Sequence, residues 1–420
     1  MRREKDVRDH REALRRKAAA LREHKRNKAR KNMRGEYNKR VNRAKKIAEK
    51  AKQVGAVANK EFSIAPFKSF DNYVYSKSKV KVCHLIDSLG MGGGQTMTME
   101  LVGALNRYYG DHIENKIVCA RTNPSKWDKT FYQSYGVEPA VMRDKDLSKY
   151  LKKEKFNIVL HHRLAISKCM RPYIPDKMKY ILLNHTYHQL SRMSSFLKCD
   201  LYISVCNYLH KNTNFPSFIH PSRMMVILNG VENDYLDKLP NANLEGSFKT
   251  GRCHRMVQTK FKIDSLTWLE KKASKQIEGL SHYLIGHCPE AKRTCKKMTT
   301  CNYVGAINKR GKKMSIIKGL DLYFYETFQN EGASIAILES LACGVPVICK
   351  NFGGNIELVI NGHNGFIVKT REDFLLRMKD LAENPKKLQL IKDRTLDDFN
   401  SRLHIKHTAV KYMQIFEALV

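Results

Sequence analysis

The chain has 420 residues, 42% of them hydrophobic, enough to bury the cores of two domains and leave a tail over. Lysine and arginine total 77 against 41 acidic residues, a formal charge of +36, and such a field attracts polyanions, either nucleic acid or an anionic membrane surface. There is no run of eighteen apolar residues, so no membrane-spanning helix is expected, and the charged N-terminus does not read as a secretory signal.

Residues 1–62 read as a basic, partly helical arm. The first 60 hold 23 basic and 7 acidic residues, and their composition favours helix without a sustained heptad. The arm has no Trp or Phe before Phe62, whereas a membrane-surface helix usually carries a bulky apolar face. That ranks nucleic acid ahead of an anionic membrane as its partner. After a connecting segment, Val80–Asp87 reads as a first strand, Gly90–Gly94 as a glycine-rich turn and Thr96–Tyr108 as a helix. Further strands are predicted at Ile117–Ala120, Asn157–Leu160, Tyr180–Asn184, Leu201–Val205 and Met224–Leu228. Helical segments lie between most of them, which implies a parallel sheet. Pro240–Ser247 reads as a linker, a second unit opens at Phe248, and the chain closes on a helix near Ser401–Leu419.

Eleven cysteines at irregular spacing fit reduced thiols better than a disulfide framework. Cys288, Cys295 and Cys301, with His282 and His287, lack the C-x-x-C pair usual in tetrahedral zinc sites, so no metal is expected there.

The most informative segment is EGASIAILESLACGVPVICKNFGG, Glu331–Gly354. Glu331 precedes a short helix that Ser334 can cap, and Glu339 lies within it. Gly344 suits a left-handed C-terminal position, Pro346 ends the helix, and Val345–Cys349 reads as a buried strand. A helix N-terminus beside a loop is an anion site, and a carboxylate one turn in can accept bonds from vicinal hydroxyls. Diphosphate and sugar hydroxyls together describe a nucleotide sugar.

This stretch resembles the E-x7-E signature of GT-B glycosyltransferases, in particular the retaining enzymes of family 4. The elements that carry the resemblance are Glu331-Gly332, Glu339, the turn Ala342–Val347, Gly353-Gly354 and Glu357. Gly92-Gly93-Gly94-Gln95 stands where the family commonly has Gly-Gly-Ala-Glu, and Asn229–Glu232 resembles the turn that closes its first domain. The resemblance implies an α/β, GT-B architecture of two Rossmann-like domains facing a cleft. Residues 79–240 would form the acceptor domain, 248–400 the nucleotide-sugar domain, and 401–420 a cross-over helix returning to the first.

It also implies roles for single residues. Glu339 corresponds to the ribose-binding glutamate and Glu331 to the one facing the donor sugar. Gly332, Ala333 and Ser334 would offer backbone N–H groups, with Gly92 and Gly93 opposite. Arg252 and Lys260 match the diphosphate-binding pair, at a longer spacing than usual, with Arg255 as substitute for Lys260. His185 resembles the histidine that touches the donor sugar, and His162, with His161, ends another strand beside it. No Asp-x-Asp motif is present, so fixed cations rather than a metal would neutralise the leaving diphosphate, and no cofactor is expected. The implied activity is retaining transfer to an acceptor hydroxyl, with hydroxymethylated DNA ranked ahead of an envelope lipid or polysaccharide, and an inactive nucleic-acid-binding protein as the third reading. The expected location is cytoplasmic, with peripheral membrane attachment under the lipid reading.

Overall fold

The computed structural model describes residues 60–420 except 87, 91, 121–128, 164–172, 186–198, 214, 216, 255 and 258–259, together with 42 and 49. Almost all of the basic arm therefore lies outside the described residues, as does Arg255.

The first unit runs β1 (Val80–Ile86), α1 (Gly93–Tyr109), β2 (Ile113–Ala120), α2 (Lys129–Gln133), β3 (Ala140–Met142), α3 (Asp144–Glu154), β4 (Ile158–Arg163), β5 (Lys179–Asn184), β6 (Leu201–Ser204), α4 (Asn207–Asn212) and β7 (Met224–Val226). Its seven strands are ordered β3-β2-β1-β4-β5-β6-β7, and every pairing is parallel. Strands buried on both faces read as apolar runs, as in VKVCHLI and KYILLN. The sequence reading missed β3, whose three residues are only half-buried and carry little pattern.

The second unit runs β8 (Phe248–Cys253), α5 (Ile263–Trp268), β9 (Leu280–Ile285), α6 (Pro289–Cys295), β10 (Cys301–Gly305), α7 (Arg310–Lys318), β11 (Leu322–Tyr325), α8 (Ile335–Ala342), β12 (Val347–Lys350), β13 (Gly365–Val368), α9 (Arg371–Glu383), α10 (Pro385–Asp398) and α11 (Ile405–Leu419). Its six strands are ordered β10-β9-β8-β11-β12-β13, again parallel. Gly344 takes the left-handed conformation expected of it, at φ 68°.

α11 returns to the first unit. Ile405 N–H donates to Val231 O at 3.0 Å and Thr408 Oγ1 to Leu228 O at 2.9 Å. The segment before β1 straps it in place. Gln414 exchanges bonds with the Lys68 backbone, and Glu417 accepts from Tyr73 Oη at 2.8 Å and from Ser76. At the far end of the strap, Arg223 donates to the backbone of Lys60 and Glu61 and stacks over the Phe62 ring. Lys60 and Glu61 thus lie beside Arg223, at the start of edge strand β7.

The reading of all thiols as reduced is corrected at one place: Cys295 and Cys301 form a disulfide that pins the end of α6 to β10. Both cysteines sit where a helix abuts the strand that follows it, a proximity that irregular spacing conceals.

Candidate active site in the cleft

Each sheet reverses its strand order once, between β1 and β4 in the first unit and between β8 and β11 in the second. Ligands of open α/β sheets bind beyond the carboxyl ends of the strands at such points. Glu331 follows β11, Arg252 lies near the end of β8 and Lys260 follows it, whereas Gly92 and Gly93 follow β1 and His162 lies near the end of β4.

On the second unit, Glu331 is 8% exposed. Lys260 Nζ lies 2.5 Å from its Oε1, Tyr325 Oη donates to Oε2 at 2.7 Å, and Gln329 Nε2 donates to Oε1 at 3.2 Å. Gly353 makes this loop geometry possible. Its φ is 60°, and a β-carbon there would lie 2.2 Å from Glu331 O. Ser334 occupies the N-cap position of α8 without capping it; its hydroxyl donates instead to Tyr325 Oη at 3.2 Å. Glu339, one turn into α8 and 6% exposed, pairs through Oε1 with Lys313 Nζ at 2.5 Å. Burial opposes the charge on Lys313, yet Glu339 holds its ammonium well above the ordinary lysine range.

Arg252 is 1% exposed and sits beneath the loop that carries Lys260. It donates through Nε to His254 Nε2 at 2.6 Å and through Nη2 to Lys260 O and Glu326 O, both at 3.0 Å. Its guanidinium carbon lies 5.1 Å from the centre of the Phe261 ring. Nη1 is buried with no hydrogen-bond partner among the described residues. A buried donor left unmade costs roughly 1–3 kcal/mol, so a ligand oxygen placed there would recover that cost. Below it, Glu326 is fully buried and meets Arg371 at 3.0 Å, Lys350 at 3.1 Å and the Ser265 hydroxyl at 2.6 Å.

The first unit contributes neutral groups. Gln95, in the family's glutamate position, folds back and donates to Ser88 O at 3.1 Å and Ser88 Oγ at 3.0 Å, closing the glycine turn. Gly93 begins α1 against Ile335 of α8, where a β-carbon would stand 3.5 Å away. The His185 and His162 rings are nearly parallel and meet edge to edge, with centroids 5.5 Å apart and His162 Nδ1 3.3 Å from His185 Nε2. Behind them His84, which the sequence reading did not single out, brings Nδ1 to 3.1 Å from His162 Nε2. Burial pushes His84 and His185 down to about 4 and His162 well below the ordinary histidine value, so all three rings are neutral at pH 7. His161 faces the opposite side, with Nδ1 2.8 Å from Tyr180 Oη.

The walls touch. A β-carbon on Gly332 would lie 2.8 Å from His185 O, and one on Gly354 would lie 2.5 Å from Cys206 Sγ. Glu357 of the second unit accepts the Asn207 and Tyr208 backbone N–H groups at 2.8 and 2.7 Å, capping α4 of the first. Arg310 of α7 lies between the Tyr135 and Tyr235 rings, 4.6 and 4.2 Å from their centres, and pairs with Glu100 of α1. At the hinge, Glu232 accepts from Arg107 Nη1 at 2.7 Å and lies 3.0 Å from His404 Nε2, with Asp234 beside it.

The structure thus gathers Gly92, Gly93, His162, His185, Arg252, Lys260, Gly332, Ala333, Ser334, Glu331 and Glu339 about the junction of the two units. Sequence reasoning missed His84, Lys313, Arg310 and Tyr325. Lys313 and Arg310 were hidden in a generally basic chain. Tyr325 was readable as the last residue of a strand that ends at the site.

Comparison with known proteins bears on the fold. Anabaena Alr3699/HepE, solved with UDP and glucose, superposes with a TM-score of 0.60 at 14% identity, covering 79% of this chain and 98% of that one. An alpha-glucosyltransferase solved with UDP-glucose and DNA containing an abasic site superposes at 0.58 with 10% identity, covering 81% and 100%. The chain has the GT-B glycosyltransferase fold. Residues 271–396 of this GT-B protein match the family model described as Glycosyl transferases group 1. An uncharacterized glycosyltransferase of Methanocaldococcus jannaschii is 22% identical over 254 residues, 57% of this chain. The chain spans 63% of that relative's length. No helix among the described residues is long and apolar enough to cross a membrane.

Proposed function

We propose that this GT-B protein transfers a sugar, with retention, from a nucleoside-diphosphate donor to an acceptor hydroxyl, and that the acceptor is a modified base in DNA. The observation that carries the donor half is the placement of Glu331 and Glu339 on the loop and helix after β11, at the strand-order reversal. In this reading Glu339 holds ribose hydroxyls, and Lys260 with the free Nη1 of Arg252 neutralises the diphosphate. The first turn of α8 adds N–H groups. Glu331 and His185 flank the transferring sugar. No protein nucleophile is needed, since the leaving phosphate takes the acceptor proton, and fixed cations do the work a metal would otherwise do.

The acceptor half rests on charge. The net +36 suits a phosphate backbone, and a fold neighbour carries DNA and UDP-glucose together. In the test, purified protein meets a panel of UDP-, GDP- and ADP-sugars with hydroxymethylated DNA, plain DNA or anionic lipid extract. Sugar incorporated into hydroxymethylated DNA alone is the expected result. Incorporation into lipid alone would replace the DNA reading with the envelope one and place the protein at a membrane surface. No turnover with any donor would return weight to a nucleic-acid-binding protein without activity.

A further inference from the structure

The three histidines of the first unit form a continuous chain from the protein surface to the cleft. Its outer end is Asn115 on β2, whose Nδ2 donates to Asn106 Oδ1 at 2.8 Å and whose Oδ1 lies 2.9 Å from His84 Nε2. His84 Nδ1 meets His162 Nε2 at 3.1 Å, and His162 Nδ1 meets His185 Nε2 at 3.3 Å. Among the described residues every ring nitrogen but one is therefore engaged inside the chain, and the one left over is Nδ1 of His185. His84 and His162 have no exposure, whereas His185 retains 8% and its backbone carbonyl abuts Gly332 of the donor loop.

A neutral imidazole has one N–H and one lone pair, so a ring held at both nitrogens must donate on one side and accept on the other. The order then propagates along the chain. The Asn115 carbonyl accepts only, so His84 carries its proton on Nε2. Its Nδ1 accepts from His162 Nε2–H. The Nδ1 of His162 accepts in turn from His185 Nε2–H, sharing its lone pair with the Thr98 hydroxyl at 2.9 Å. That hydroxyl is also 2.9 Å from Gly94 O, so its single proton serves two acceptors. What remains at the cleft end is a bare nitrogen.

We propose that Asn115, His84 and His162 are positioning residues that fix the tautomer of His185, so that it presents a hydrogen-bond acceptor, not a donor, to a hydroxyl of the sugar in the cleft. The sugar rests on the function proposed above; the tautomer order does not. The orientation of a surface amide thereby selects which hydroxyl geometry the cleft accepts.

The test is long-range proton–nitrogen NMR of the full chain with nitrogen-15 histidine at pH 7, on the unsubstituted protein, Asn115→Asp and Asn115→Leu. Aspartate keeps an acceptor facing His84, and leucine removes it. Asn115 is half-buried on β2, and melting curves would verify that both variants fold. The expected result is the Nε2–H tautomer for all three rings in the unsubstituted protein and in Asn115→Asp, and a mixture at His185 in Asn115→Leu. A parallel rise of about tenfold in donor KM, with kcat less affected, would accompany the mixture and be restored by Asn115→Asp. An Nδ1–H tautomer at any of the three rings in the unsubstituted protein, or an identical His185 spectrum in all three proteins, would overturn the relay. A protein with no transferase activity but the expected spectra would sink the proposed function and leave the relay standing. An active enzyme with unchanged spectra would do the reverse.

Discussion

On the second-unit wall of the cleft, carboxylates meet cations. Glu331 meets Lys260, Glu339 meets Lys313, and Glu326 meets Arg371 and Lys350. On the first-unit wall stand a glycine turn closed by an uncharged glutamine and the neutral His162 and His185, backed by His84, with one charged contact across the junction, Glu100 to Arg310. Under the proposed function, the difference follows from what each wall would hold. A diphosphate and a ribose need fixed charge and charged acceptors. A sugar ring, neutral and rich in hydroxyls, needs directional bonds and a dry surface. Under the proposed function the charged wall would set donor identity and the neutral wall the geometry of the sugar.

Ways to break that contrast can be ranked by expected effect. Removing a charged acceptor is the largest. Glu339→Gln should weaken donor binding by about 10- to 100-fold, the span of a charge-assisted hydrogen bond, as read by calorimetry with the best donor. It should also lower the melting temperature, because Lys313 is left buried without its partner. Unchanged affinity would mean that Glu339 does not touch the donor.

Next comes Gly353→Ala. The left-handed backbone and the contact at 2.2 Å with Glu331 O leave no room for a methyl group. A loss of about 1–3 kcal/mol in denaturant unfolding is expected, with activity falling further than stability because the Glu331 loop must shift. A variant as stable and as active as the parent would show that the loop position is not constrained.

The walls should also separate by pH. His84 and His185 fall to about 4 in the folded protein from an unfolded value of about 6.5. The unfolded chain binds more protons between those values, so their contribution is present above about pH 6.5 and is lost as the pH falls towards 4, on the order of 3 kcal/mol for each ring. On the other wall burial works against the Glu326 charge, but Arg371 and the Ser265 hydroxyl outweigh it and hold the carboxyl below its usual range. That contribution is lost only below about pH 4.5. Unfolding followed from pH 7 to 4.5 should therefore show the loss from these first-unit rings together with that of His282 on β9, which burial lowers to about 3, and His84→Gln should lessen the slope. An equal slope in that variant would place the acid sensitivity elsewhere.

The smallest change should be Gly93→Ala. Its β-carbon would meet Ile335 at an ordinary contact distance of 3.5 Å, and an alanine at the first position of α1 carries no conformational cost. Turnover within about twofold of the parent is expected; a large loss would mean that the donor fills this gap.

The same contrast explains what the sequence disclosed. The charged wall was legible because its residues are close in the chain. Glu331, Glu339, Gly344 and Gly353 lie on one loop, helix and turn, and short-range rules fix each of them. The neutral wall was legible only in part. His185 and His162 were found because each ends an apolar run. His84 sits inside such a run, and its partners come from β2 and β4, 31 and 78 residues away. Nothing local in VKVCHLI distinguishes a relay from a satisfied core histidine. Lys313 and Arg310 were invisible for a different reason: in a chain with 77 basic residues, no single cation stands out until its carboxylate is seen beside it.

The measurement that bears most directly on the central claim is donor binding and turnover by the parent protein and Glu339→Gln across the panel of UDP-, GDP- and ADP-sugars. Saturable binding and turnover of at least one donor by the parent, lost or greatly weakened in the variant, is the predicted result. A parent that binds none of them, or a variant that turns over the same donor equally well, would contradict the assignment of this cleft to a nucleotide sugar.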